Sequence, residues 1–292
     1  MTLKERLDAY ERLMRLDKPI GALLLLWPAL WALWLAKYGI PDLDVLVIFV
    51  VGVMLTRSAG CIINDYADRN FDPHVERTRD RPLAAGLVSP REALWLAGSL
   101  LVFSFVLVLL LRNELAVALS FVAVGLMVVY PFLKRFFVFP QAWLGVAFGF
   151  SIPMAYAVQY GRLIAVTWVL LAANVFWAIA YDTEYAMVDR NDDEKLGLKS
   201  SAILLGRHDV TGVMAAHGLF LATMIVVGYT QYLGILYYAA LAVVAWLMYR
   251  QYRMIGNRTR EGCFKAFLDN NWVGIAIWAG IVFDLQFRLK LF

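Results

Sequence analysis

The chain has 292 residues, of which 62% are hydrophobic and only 17% charged, with a mean hydropathy of +0.65. A soluble domain is roughly 45–50% apolar and about 25% charged, so this composition excludes a single soluble core and points to an integral membrane protein. The net charge of +4 does not mark a nucleic-acid surface, because the bases sit between apolar runs. Two cysteines and three scattered histidines supply neither a disulfide framework nor zinc-ligand spacing.

The chain opens on MTLKERLDAYERLMRLDKP, which mixes acids with bases and has no small-residue cleavage site, so it does not read as a secretory leader. Leu3, Leu7, Tyr10, Leu13 and Met14 recur at helical spacing. They predict an amphipathic helix over 1–18, lying on the membrane surface and ended by Pro19. Nine apolar runs of spanning length follow, at about 20–37, 44–63, 92–111, 114–132, 142–160, 164–185, 211–229, 232–249 and 270–288. With the N-terminus inside, the outside segments hold only Lys37, Arg112, Arg162, Arg288 and Lys290 of the 27 lysines and arginines. Arg57 is left within the second span. This bias predicts nine spans with the N-terminus in and the C-terminus out. The long charged loops 64–91 and 186–210 then share the cytoplasmic side. The expected fold is one all-α membrane domain, a bundle around a central cavity, with two related four-helix halves and a ninth helix outside the repeat.

The chemistry begins at CIINDYADRNFDPHVERTRDRP, residues 61–82. Asn64, Asp68 and Asp72 are spaced i, i+4, i+8 and fall on one helical stripe. Oxygen donors on one face suit a hard cation such as Mg²⁺. The pattern returns 121 residues later, where Asp189-Arg-Asn-Asp-Asp193 matches Asp68-Arg-Asn-Phe-Asp72. A lone acidic loop is usually solvated surface; two copies, each just past a span, predict one bipartite metal site. Arg77, Arg81, Lys134 and Lys195 are the candidate phosphate-binding bases, although anionic lipid headgroups account for most bases near a membrane. Asp182 and Glu184 lie deeper, where an acid is costly. Arg57 lies seven residues before Asn64, on nearly the same face, and there are two readings of it: a salt bridge to a protein acid, or a clamp on a substrate carboxylate. No nucleophile elbow, Walker loop or dinucleotide fingerprint occurs. A transporter would carry its acids at mid-span rather than at one face.

These residues resemble a known family. Asn64-Asp65-x-x-Asp68-x-x-x-Asp72 is similar to the first aspartate motif of the UbiA superfamily of intramembrane prenyltransferases, and Asp189-x-x-x-Asp193 to the second. Asp17-Lys-Pro-Ile-Gly21, Tyr130-Pro-x-x-Lys134-Arg135 and Tyr185-Ala-Met-Val-Asp-Arg190 resemble its 4-hydroxybenzoate polyprenyltransferase branch. The resemblance implies Mg²⁺ held by Asn64, Asp68, Asp72, Asp189 and Asp193. It also implies transfer of a polyprenyl group from its diphosphate to the ring carbon ortho to the hydroxyl of 4-hydroxybenzoate, in ubiquinone biosynthesis. Asp189 is placed near the reacting ring, with Arg57 or Arg135 against the acceptor carboxylate. The implied setting is a bacterial inner membrane, with lipid and the two substrates as partners and no nucleic acid or obligatory protein partner. Haem or menaquinone prenylation is the competing acceptor chemistry.

Overall fold

The computed structural model describes residues 1–74, 78–133, 137, 139–197 and 199–287, and every regular element among them is helical. The order is α1 (Leu3–Leu13), α2 (Ile20–Lys37), α3 (Leu43–Asp68), α4 (Pro90–Leu110), α5 (Glu114–Leu133), α6 (Pro140–Gly149), α7 (Ser151–Gln159), α8 (Ala165–Leu196), α9 (Ser201–Leu205), α10 (Asp209–Thr230), α11 (Ile235–Ile255) and α12 (Arg260–Phe287).

Eight stretches among the described residues are long and apolar enough to cross a membrane, with α6 and α7 together making one and α9 through α10 another. The remaining expected span is α11, which has spanning length at 21 residues but carries Arg250, Gln251 and Arg253 in its last two turns. These dilute its apolar character, so eight of the nine expected spans are matched by such helices and α11 is not among them. The fifth expected span is broken: Pro153 has no N–H to give the Gly149 carbonyl, and the helix restarts after Phe150.

Two helices run past their expected ends. α3 continues to Asp68 and α8 to Leu196, where Gly197 closes it in a left-handed conformation at φ 66°. At 32 residues α8 is about 48 Å long, against a hydrocarbon core of about 30 Å. The expected loop 186–210 is therefore helical as far as Leu196, and Asp189 and Asp193 stand on a rigid rod. The first acidic stripe is the converse case. α3 stops at Asp68 and Asp72 opens a separate 3₁₀ turn, Asp72–His74, so Asn64, Asp68 and Asp72 do not share one helix.

α2 is the core element and packs against α3, α6, α7, α8 and α12. Trp31 is fully buried, 5.1 Å from Trp177 of α8, and its indole N–H donates to the Gly274 carbonyl of α12 at 3.1 Å. In the first half α3 packs on α4, in the second α8 packs on α10, and α12 closes against α2, α8 and α11.

α1 begins with a capping box between Thr2 and Glu5 and ends at Leu13, earlier than Pro19. Its Ala9 and Leu13 are buried against Ile62, Leu83, Val88, Ala93 and Ala97, while Leu3 and Leu7 stay exposed. The chain turns at Arg15, φ 59°, and Pro19 caps α2. The helix is thus seated on the end of the bundle.

At Gly274 of α12 the Trp27 ring of α2 packs against the backbone, and a Cβ there would overlap it. Gly274→Ala should cost about 1–3 kcal/mol by overpacking. Thermal unfolding in detergent checks this, and an unchanged midpoint refutes it.

Candidate active site

A cavity of about 1170 Å³ lies between the two halves. Its polar end collects the expected residues: Arg57, Asn64 and Asp68 of α3, then Asp72 and Arg81, and Asp189 and Asp193 of α8 all line it. Both aspartate motifs therefore face one space. The other end is apolar, walled by Phe49 and Val53 of α3, Phe105 and Val108 of α4 and Met127 of α5.

On α8 the lining residues Asp182, Tyr185, Asp189 and Asp193 are spaced three, four and four apart and share one face, with Tyr181 and Ala186 beside them. Glu184 points the other way. It is fully buried, accepts from Asn270 Nδ2 of α12 at 2.8 Å and lies 3.6 Å from His217 Nε2 of α10. Trp177 Nε1 donates to Asn270 Oδ1 at 2.8 Å. This polar contact with α10 and α12 fixes the rotation of α8 and hence aims its aspartates.

Asp65, next to the motif asparagine, does not join the metal-facing set. It is 2% exposed and takes both Nη2 contacts of Arg15, at 2.9 and 2.8 Å. Arg81 Nη1 lies 3.0 Å from Asp65 and 2.9 Å from Asp72, so one guanidinium bridges the two carboxylates. Arg15, Arg81 and Lys18 all line the polar end.

Arg57 sits deeper, with its guanidinium 5.6 Å from the Phe148 ring centre and no ion pair among the described residues. Gly21 packs opposite it, and a Cβ there would overlap the guanidinium in its present position. The salt-bridge reading of Arg57 therefore finds no protein acid among the described residues.

Lys195 stands exposed on the last turn of α8 and does not line the cavity, whereas Lys199 does. Arg77, Lys134 and Arg135 lie outside the described residues. Sequence reasoning missed Arg15 and Gln141. The signals available for them were weak: a lone arginine after an amphipathic helix, and a glutamine in an apolar run.

Residues 25–279 match the UbiA prenyltransferase family. The chain belongs to that family. It is 60% identical over 288 residues to the 4-hydroxybenzoate octaprenyltransferase of Nitrosospira multiformis, covering 99% of each chain. It is 59% identical over 282 residues to that of Dechloromonas aromatica, covering 97% of this chain and 95% of the relative. Among solved structures, the apo UbiA homolog from Aeropyrum pernix K1 superposes with a TM-score of 0.80 at 27% identity, over 90% of this chain and 98% of that one. A UbiA homolog from Archaeoglobus fulgidus bound to GPP and Mg²⁺ shares the fold, with a TM-score of 0.67 at 18% identity over 94% and 99% of the two chains.

Asp65→Ala leaves two guanidinium groups without their buried partner, and removing one member of such a network costs about 3–5 kcal/mol. The expected outcome is a lower melting temperature and an α1 cut by protease before the rest of the chain. If α1 resists cleavage as in the parent, the network does not hold it.

Proposed function

We propose that this chain transfers a polyprenyl group from a polyprenyl diphosphate to the ring carbon ortho to the hydroxyl of 4-hydroxybenzoate, in ubiquinone biosynthesis. The observation that carries the reading is 60% identity, across 99% of both chains, to a relative named 4-hydroxybenzoate octaprenyltransferase. A cavity with carboxylates and arginines at one end and apolar walls at the other suits a substrate with a charged head and a long hydrocarbon tail.

Among the described residues no three histidine, cysteine or acidic side chains converge tightly enough to cage a metal. The donor set nonetheless fits Mg²⁺, which usually keeps several waters and takes one or two carboxylates together with substrate phosphates. Asn64, Asp68 and Asp72 on one wall, and Asp189 and Asp193 on the other, would hold such ions once the diphosphate lies between them. The chemistry an ion supplies there is neutralisation of charge on the departing diphosphate. Arg81 and Lys199 line the same mouth and bind phosphate oxygens. The apolar arm takes the prenyl chain and keeps water from the allylic cation formed as the C–O bond breaks. Phe148, Tyr130 and Tyr181, which also line the cavity, offer ring faces to that cation. Arg57 receives the acceptor carboxylate, and the electron-rich ring then attacks.

In this reading α11 spans with the other helices, giving nine spans. The N-terminus and both acidic clusters face the cytoplasm of a bacterial inner membrane, as the lysine and arginine bias favours.

Membranes holding the protein should convert radiolabelled 4-hydroxybenzoate and a polyprenyl diphosphate to a lipid-extractable product only when Mg²⁺ is added. Asp68→Asn and Asp189→Asn should each abolish turnover while the melting temperature holds; a fully active variant would remove that residue from the metal site. Arg57→Ala removes a charge-assisted contact of about 1.5–3 kcal/mol. It should raise the acceptor KM about 10- to 100-fold with little change in the donor KM. An unchanged acceptor KM returns Arg57 to a structural role.

A further inference from the structure

The reaction just described ends with a proton that must leave the ring, and the structure offers a group for it. We propose that Asp182 is the base that removes the ring proton after the new carbon–carbon bond has formed, and that Gln141 positions its carboxylate. This rests on the acceptor reading above.

Asp182 lines the cavity on the same face of α8 as Asp189, seven residues or about 10 Å deeper along the helix. That distance separates it from the carboxylates facing the diphosphate. The repeat sets its depth against Arg57. Asp68 and Asp189 occupy matching places at the cavity mouth; Arg57 lies 11 residues before the one and Asp182 seven before the other. Asp182 therefore stands about four residues, or about 6 Å, nearer the mouth than Arg57. An acceptor whose carboxylate rests on Arg57 and whose hydroxyl points to the mouth lays its ring beside Asp182.

The carboxylate is also held in place. Gln141 of α6 is 3% exposed, and its Oε1 accepts the Ser201 N–H at 3.2 Å. That bond leaves the NH₂ end of the amide free to turn toward Asp182, which lines the same cavity as Gln141. Ser201 is anchored in turn, its hydroxyl 2.7 Å from Thr183 Oγ1. No arginine or lysine among the described residues forms an ion pair with Asp182, unlike Asp65 and Asp72. Its remaining lone pairs face the cavity. The neighbouring Tyr181 hydroxyl is buried, lines the same space and has no partner of its own.

The step balances. The allylic carbon loses its C–O bond, with the electron pair leaving on the diphosphate, and gains a bond to the ring carbon. The resulting ring cation gives the proton of that carbon to an Asp182 oxygen, and the C–H electrons restore aromaticity. The proton leaves through the cavity mouth with the product.

The test is Asp182→Asn, which keeps the shape and an acceptor for Gln141. In the parent, proton loss follows a slower ionisation, so ring-deuterated 4-hydroxybenzoate reacts at the rate of the protiated compound. In the variant kcat should fall by about 10²- to 10⁴-fold, the range a general base contributes, and a primary deuterium isotope effect should appear. Binding of 4-hydroxybenzoate to the purified protein should be unchanged, which separates a lost base from a lost fold. Asp182→Glu should recover part of the rate and shrink the isotope effect. Gln141→Leu should slow turnover and introduce a smaller isotope effect. A variant with parental kcat, or a slow one with no isotope effect, overturns the assignment and leaves the diphosphate as proton acceptor. A parent that transfers no prenyl group to 4-hydroxybenzoate overturns the acceptor reading itself.

Discussion

Four charged side chains in one chain of contacts, Arg15–Asp65–Arg81–Asp72, fasten three separate segments at the point where α3 leaves the apolar layer. Asp65 is almost wholly buried, and an isolated carboxylate there would be expelled or neutralised. Two guanidinium groups satisfy it, and each arrives from a different direction in sequence. Arg15 comes from the turn after α1 and Arg81 from the segment before α4. The result is a built rim to the cavity rather than three loose loops. Arg81 divides between Asp65 and Asp72, so a cavity-lining acid is oriented by a base that lines the same cavity. Charge that would be costly in the interior is thereby organised at the polar end of the cavity.

The second constraint is rotational. A helix in lipid has no strong apolar preference for one face, since hydrocarbon surrounds it as readily as protein does. α8 shows almost no segregation of apolar residues to one side, yet three of its aspartates must face one cavity. The buried cluster of Glu184, His217, Asn270 and Trp177 supplies the missing preference, because turning α8 away would leave these groups without partners in hydrocarbon. One acid on the far face of the helix therefore decides where the acids on the near face point.

Much of this was legible beforehand, and the rest was not, for specific reasons. Apolar run length located the helices, and the repeat of Asp-Arg-Asn-x-Asp pointed to the two acidic clusters that line one space. The ends of α3 and α8 were misjudged because charge was read as loop, whereas nothing in residues 186–196 breaks a helix before Gly197. The break at Phe150 follows from Pro153, but membrane helices often tolerate proline, so its effect could not be read locally. Asp65 was hidden inside a metal motif, and only its partners reveal a different task. Lys195 carried the right charge on the wrong face. The dilution of α11 by Arg250, Gln251 and Arg253 was visible but weighed less than the charge bias of the flanking segments.

Arg57 ties the packing of α2 and α3 to the chemistry of the cavity. A guanidinium placed eleven residues inside α3 from Asp68 needs both room and an anion. The room comes from α2, where Gly21 lacks the Cβ that would occupy the guanidinium position, and the ring of Phe148 covers part of the group. No described acid supplies the anion. The fold therefore maintains a positive charge between the carboxylates at the cavity mouth and the apolar walls beyond. A molecule carrying its own carboxylate at one end and an electron-rich ring toward the other completes that pairing, and in doing so fills the space between the deep arginine and the site of diphosphate departure. On the proposed reading, the depth of Arg57 relative to Asp189 sets the length of the acceptor as well as its charge, and the same depth is what puts Asp182 beside the ring.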